Sequence, residues 1–465
     1  ALGDTALGNT VMWQAWNVPD MPWDGSRAVQ LDLASGSVRE VRGVGAIQQP
    51  RWMPDGTPIW VRDDDGWLNV WLGDRPLLAE PFEHAGPSWG QGQRSYAISP
   101  DGRRVAVARN EHGFGRLCVI DVAAAGESGG ESRSVVQEVA RGVHGQLSWV
   151  GSRLAALRSG ARTPTQVVLY DTTTWERTVL AVGPLSGWED AALVEPEPIR
   201  VVGRDGSAVH ARLYRADAAG EGDPHSGSDQ QSGVATPRLL CWVHGGPTDQ
   251  WQVSFMPRVA YWRAQGWNVV LPDHRGSTGH GRAYQQAMNG RWGELDVSDT
   301  VDCIRFAHAQ GWGDPDHTVV LGGSAGGFTA LCVAAVAPEL IAGVAAAYPV
   351  TDLLDLAARS HRFERHSTEH LVGPLPATAA LYEARSPLLF AQRLTSRPVL
   401  LLHGDADPVV PVEQSRELAR RIADAGGDVQ LHVYAGAGHG LRDPLDQLDE
   451  YARIGDFLSR CLADG

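Results

Sequence analysis

Two patterns of apolar and polar positions divide the chain. Up to about residue 190, short β-rich runs close alike: AVQLDLASG at 28–36, NVWLGD at 69–74, LCVIDV at 117–122 and VVLYDT at 167–172. Pro-Asp-Gly turn signals fall between them at 54–56 and 100–102, the second heading SPDGRRVAVAR. The recurrence, roughly 40–50 residues, is the period of a four-stranded propeller blade. The polar, Gly-rich run at 123–134 reads as a flexible insertion between repeats. Residues 199–216 read as a β-hairpin around Asp205-Gly206, followed by a polar, mobile loop at 217–237. From Arg238 the pattern changes. RLLCWVHGG, WNVVLPDHRG, TVVLGGSAGG, IAGVAAAYPV and RPVLLLHGDAD each run apolar and then break at Gly, Asp or Pro. Such strands are buried on both faces and predict a doubly wound, mostly parallel sheet, with helices at 299–310 and 445–462 among its covering layers. The expected domains are residues 1–190, all β, and residues 191–465, α/β.

Length and composition agree with two folded domains. The chain has 465 residues, 43% apolar and 20% charged, which suits packed cores rather than disorder. Of its 17 tryptophans many fall early, at Trp13, Trp16, Trp23, Trp52, Trp60, Trp67 and Trp71, and packing between twisted sheets accounts for them. The net charge of -15 argues against nucleic acid or an anionic membrane surface as partner. No apolar run reaches the roughly 18 residues of a membrane span. The first residues lack the basic and apolar regions of a signal peptide, and they lack an initiator Met, so a processed or truncated start is expected. Five widely spaced cysteines, Cys118, Cys241, Cys303, Cys332 and Cys461, fit reduced thiols in a cytoplasm better than a disulfide framework.

Chemistry concentrates in the second region. Gly322-Gly323-Ser324-Ala325-Gly326 fits G-x-S-x-G between a buried strand and a helix-forming run, the context a nucleophile elbow requires. A serine hydroxyl needs a base. His439 lies in YAGAGHG after the strand-like VQLHVY, and Asp407 follows RPVLLLHG, with Asp405 as its local competitor. The order Ser, Asp, His is that of the α/β hydrolases. Oxyanion donors are expected at the amides of Ala325 and Gly246, with Gly245 as the fallback, and the His244 side chain serves either substrate or structure. His366, Glu369 and His370 match a zinc-peptidase pattern, but Gly373-Pro374 follows too soon for a firm helix. DHRGSTGHG at 273–281 lacks the Lys-Ser/Thr pair of a phosphate loop. No metal and no cofactor are expected.

Together these blocks resemble the prolyl oligopeptidase family of serine peptidases, in its acylaminoacyl-peptidase and aminopeptidase branch. HGGPT at 244–248, LPDHRGSTGHGRAY at 271–284, GGSAGGFTAL at 322–331, HGDADPVVP at 403–411 and GAGHG at 436–440 carry the resemblance in order. NVPDMPWDGS at 17–26 and the SPDG phrase resemble its propeller segments; SHRFERH at 360–366 and YEARSPL at 382–388 resemble the branch's region over the active site. The resemblance implies a β-propeller joined to an α/β hydrolase, and the fold expected is an α/β hydrolase preceded by an all-β, partial propeller. About four blades can be counted where closed propellers usually carry more. A missing N-terminal segment, an atypical propeller or another copy covering an open edge near residues 10–30 is therefore expected. Family members often carry Arg or Asn two residues after the triad Asp, where it holds a substrate carbonyl; here that place is Val409.

The expected function is hydrolysis of short peptides or aminoacyl amides near an N-terminus through an acyl-enzyme, aminopeptidase-like, with an apolar P1 side chain. Val350, Leu353, Phe363, Val409 and Val410 are its expected pocket walls. Alternatives are an acylaminoacyl or dipeptidyl peptidase, with Arg362 or Arg365 replacing the missing clamp, an esterase or amide hydrolase, and a non-catalytic propeller scaffold. Activity is expected to fall on the acid side of neutrality as His439 takes up a proton.

Overall fold

The computed structural model describes residues 6–123, 136–184, 193–217 and 236–463. The runs at 123–134 and 217–237 lie, apart from their end residues, outside the described residues. The chain forms two compact units. One comprises Ala1–Glu195 with Gln250–Pro257 and Ser277–Gln286; the other comprises Pro196–Asp249, Arg258–Gly276 and Ala287–Gly465.

Four four-stranded antiparallel sheets build the first unit. They run over Ala6–Leu7, Thr10–Trp16, Ser26–Asp32 and Val38–Arg42; Ile47–Trp52, Pro58–Arg62, Asn69–Leu72 and Arg75–Pro76; Tyr96–Ile98, Arg104–Glu111, Phe114–Asp121 and Val136–Arg141; and Val143–Val150, Arg153–Gly160, Thr163–Asp171 and Arg177–Val182. The third sheet shows why blade strands read apolar on both faces. Val105 and Val107 pack with Ile59, Val61 and Val70 of the second sheet, while Ala106 between them packs with Leu154 and Val168 of the fourth. The recurring strand ending also has a cause. Asp32, Asp121 and Asp171 each close a strand, and each carboxylate accepts an amide hydrogen two residues on, from Ala34, Ala123 and Thr173. The tryptophans divide. Trp23 and Trp60 are buried, but Trp13 is 42% exposed, because the strand alternation that turns Met12 inward turns Trp13 out, and Trp16, the last residue of that strand, is 37% exposed.

An eight-stranded mixed sheet forms the second unit. Its strands are β1 (Glu197–Val202), β2 (Ala208–Tyr214), β3 (Arg238–Val243), β4 (Trp267–Asp273), β5 (Thr318–Gly323), β6 (Gly343–Ala347), β7 (Val399–Gly404) and β8 (Val429–Tyr434), in spatial order β1-β2-β4-β3-β5-β6-β7-β8. The hairpin β1–β2 turns at Gly206, whose φ of +81° suits glycine, and β2 runs antiparallel to β4. From β4 onward every pairing is parallel. Helices Leu295–Ala309, Ala325–Val336, Val412–Asp424 and Pro444–Ala463 cover the sheet. Val320, Val344 and Leu401 of the strands pack with Phe328, Leu331, Leu418 and Ile422 of the helices, all fully buried. Across β2 and β4, buried Arg212 grips Asp273 through two hydrogen bonds of 2.6 Å. The fold is thus an all-β region followed by an α/β hydrolase. All five cysteines are buried, and none forms a disulfide. Among the described residues no helix is long and apolar enough to cross a membrane.

Candidate active site

Parallel strands deliver their next residues to one edge of the sheet, so loops after β3, β5, β7 and β8 gather at their carboxyl ends. Gly245 and Gly246 follow β3, Ser324 follows β5, Asp407 follows β7 and His439 follows β8.

Ser324 sits between β5 and the helix Ala325–Val336 at φ +55° and ψ -122°, a backbone conformation L-residues rarely adopt. Such strain, of order 1–3 kcal/mol, persists only where surrounding structure enforces it. Here glycine permits the enforcement. A Cβ on Gly322 would strike the Gly326 carbonyl, and one on Gly326 would strike the carbonyls of Val243 and His244. The sharp turn therefore needs both positions bare.

The serine Oγ lies 3.0 Å from His439 Nε2, and His439 Nδ1 lies 2.7 Å from Asp407 Oδ2. Asp407 fixes the tautomer. Burial acts most strongly on its carboxyl and would raise its pKa, but hydrogen bonds from His403 and His439, the charge of His439 and the Val410 amide outweigh burial and hold it well below the usual carboxylate range. An ionised carboxylate only accepts, so Nδ1 carries the hydrogen and Nε2 of the neutral ring is free to accept from Ser324. The other carboxylate oxygen accepts the amides of Val409 at 2.8 Å and Val410 at 2.9 Å. Asp405 is exposed, and its carboxylate accepts from Gly436 instead.

The loop after β3 closes on Ser324. A Cβ added to Gly245 would stand 3.5 Å from the Ser324 Cβ, while Gly246, at φ +122°, turns the chain towards Thr248 and Asp249. Ala325 opens the helix, where amides lack an intrahelical acceptor. His244 is buried: its Nδ1 lies 2.7 Å from the Gly245 carbonyl oxygen and its ring stacks on His274 at 4.7 Å. Burial, followed by His274, pushes its pKa down to about 3, so the ring is a neutral packing element of the loop.

The pocket walls read from sequence separate into two groups. Val350, Leu353 and Val410 are 3%, 0% and 1% exposed and belong to the domain core. Val409 and Phe363 stay half-buried and keep surface to offer. The helix carrying His366-x-x-Glu369-His370, Ser367–Val372, has six residues and ends at Gly373.

Three residues outside that reading bear on the site. His403, fully buried in β7, places Nε2 at 2.9 Å from the Val410 carbonyl oxygen and Nδ1 at 2.7 Å from Ser415 Oγ, stapling the loop that presents Asp407. Tyr348, just past β6 at φ +39°, sets its ring edge-on to His439 at 4.7 Å. Glu364 pairs with His361 at 3.2 Å; burial raises its pKa, opposed by the charges of His361 and then His439, so the segment 360–366 lies within electrostatic reach of the base. Two of them lie in stretches that carry the family resemblance, His403 in HGDADPVVP and Glu364 in SHRFERH.

Comparison with known proteins agrees with this geometry. The model of the prolyl oligopeptidase family matches residues 253–465. A solved Mycobacterium tuberculosis puromycin-hydrolyzing peptidase is 30% identical, with a TM-score of 0.88 over 98% of this chain and 68% of that one. The chain belongs to the prolyl oligopeptidase family. Members of this family of serine peptidases differ in what they cleave. The Caenorhabditis elegans dipeptidyl peptidase family member 6 is 30% identical over 232 residues, 48% of this chain and 31% of that protein. An Arabidopsis thaliana acylamino-acid-releasing enzyme is 26% identical over 245 residues, 50% of this chain and 31% of its own length. The matched stretch thus spans about a third of these curated relatives.

Proposed function

We propose that the chain is a serine peptidase that hydrolyses short peptides or aminoacyl amides near a free N-terminus, with Ser324 as nucleophile, His439 as base and Asp407 as its orienting acid. The observation that carries the reading is the unbroken hydrogen-bonded line from Ser324 Oγ through His439 to Asp407. His439 Nε2 takes the hydroxyl proton as Oγ attacks the substrate carbonyl carbon, and Asp407 stabilises the imidazolium that forms. The tetrahedral oxyanion is received by the amides of Ala325 and Gly246, with Gly245 the alternative second donor. His439 returns the proton to the leaving amine, and water, activated by the same ring, releases the acyl group from Ser324.

Two features support a short, free-amino substrate. Val409 stands where a polar clamp for a longer peptide would be, and both Val409 and Phe363 keep apolar surface to offer. Glu364 offers a carboxylate to an α-ammonium group. The reading includes an apolar P1 preference, worth roughly 1.5–3 kcal/mol for a fully buried side chain, and a cytoplasmic setting consistent with five buried cysteines outside any disulfide. A dipeptidyl or acylaminoacyl preference is the alternative, since relatives bearing those names each match about half of the chain. The test is kcat/KM for Leu- and Phe-amides against matched Gly-Pro and N-acetyl amides. Faster turnover of the free aminoacyl amides is expected; a clear preference for dipeptidyl or N-acetylated substrate overturns the aminopeptidase reading.

A further inference from the structure

Between the third and fourth sheets of the first unit lies a cavity of about 170 Å³ that the triad does not use. Four arginines line it: Arg116, Arg141, Arg158 and Arg162. In a chain with a net charge of -15, such a gathering of cations needs a reason. For two of them the reason is internal. Arg116 lies 3.3 Å from Glu111 and 3.6 Å from Glu138, and Arg141 lies 3.4 Å from Glu138. The other two differ. Arg158 is half-buried; its Nε donates to the Arg141 carbonyl at 3.2 Å and its Nη1 to Gln166 Oε1 at 3.4 Å. Arg162 stands exposed in the tight turn closed by the Gly160–Thr163 pair. Among the described residues, no carboxylate lies within ion-pair distance of Arg158 or Arg162. Burial, then the like charge of Arg177, depress the Arg158 guanidinium pKa, the mark of a cation held without a counter-charge. Among the described residues the only acid on the lining is Glu195, and the apolar part of the wall comes from Phe114 and Val253.

We propose that this cavity is a binding site for a small oxyanion: a carboxylate group carried on a short apolar body, or phosphate. Two guanidinia without ion-pair partners in one hairpin can each donate two parallel hydrogen bonds to such a group, which recovers the solvation that Arg158 loses. Liquid water takes about 30 Å³ per molecule, so the cavity has room for an anion with a few carbon atoms attached. Phe114 and Val253 would cover those carbons. The site is independent of Ser324 and of the peptidase reading.

Titration calorimetry of the intact chain tests this with 3-phenylpropionate, neutral 3-phenylpropanol and inorganic phosphate. The expected result is binding of an anion but not of the alcohol, weakened by added salt and about tenfold by Arg162→Gln or Arg158→Gln. Arg162→Gln changes an exposed turn residue, and its melting temperature should match the parent's, so a loss of binding there is not a loss of fold. Binding of 3-phenylpropionate assigns an organic carboxylate; binding of phosphate alone assigns the inorganic ion, and either supports the site. Absence of binding by both anions at millimolar concentration, or equal binding by both variants and the parent, overturns it.

Discussion

At Ser324 a strained backbone and a short hydrogen bond meet in one residue. Ser324→Ala, His439→Ala and Asp407→Asn should each lower kcat by several orders of magnitude, about 10⁴-fold for Asp407→Asn, and pairs of these changes should cost little more than one alone. Asp405→Asn should leave the rate within a few-fold, because that carboxylate serves the Gly436 amide. Steady-state kinetics on a fast amide substrate decide the assignment, and a dead Asp405→Asn with a live Asp407→Asn would reverse it. Residue by residue, legibility followed locality. The elbow was readable because a turn that tolerates no Cβ at Gly322 and Gly326 writes itself as glycine. Leu353 was misplaced as a pocket wall because its helix, Leu353–Arg359, turns it into the core; that orientation depends on Ser386 and Gln414, which hold the segment's amides from more than thirty residues away. Tyr348 left no trace of its role, because its contact with His439 joins residues far apart in the chain.

At the element scale, two buried charge arrangements carry predictions. The Arg212–Asp273 pair joins β2 to β4, with both side chains almost inaccessible. Arg212→Ala leaves a buried carboxylate alone and should cost about 3–5 kcal/mol, whereas Arg212→Met with Asp273→Leu should be near neutral. Urea unfolding of the single and double variants checks this, and an equal loss in both would contradict it. In the first unit, Glu83 is buried, accepts the amides of Leu68 at 2.8 Å and Gly281 at 3.1 Å, and has its pKa pushed up to about 8, first by burial. A carboxyl raised on folding contributes stability fully present below its unfolded pKa, near 4.5, and lost as pH rises through about 8. Stability should therefore fall between about pH 4.5 and 8, with a slope of at most about 1.4 kcal/mol per pH unit. Glu83→Gln should flatten the fall; an unchanged slope would refute the assignment. Strands and long helices were readable from the sequence, with 299–310 falling on Leu295–Ala309 and its C-cap Gln310, and 445–462 within Pro444–Ala463. Both have a single face or a single run that decides them. The grouping of Gln250–Pro257 and Ser277–Gln286 with the first unit was not readable. It rests on contacts such as Glu83 with Gly281 and Asn110 with Gln250, between residues more than a hundred apart.

For the whole molecule, the four sheets and the eight-stranded sheet make one chain of the prolyl oligopeptidase family, and its central functional claim is that Ser324 is a nucleophile activated by His439. Covalent labelling by a fluorophosphonate probe tests that claim without choosing a substrate, because the probe reacts only with an activated serine and stops as a stable adduct. Intact mass followed by peptide mapping should find one adduct per chain, on Ser324. It should be absent in Ser324→Ala and slowed by orders of magnitude in His439→Ala, while both variants keep the parent's fold by circular dichroism. Absence of an adduct on the folded parent chain, or an adduct that persists in Ser324→Ala, would contradict the account.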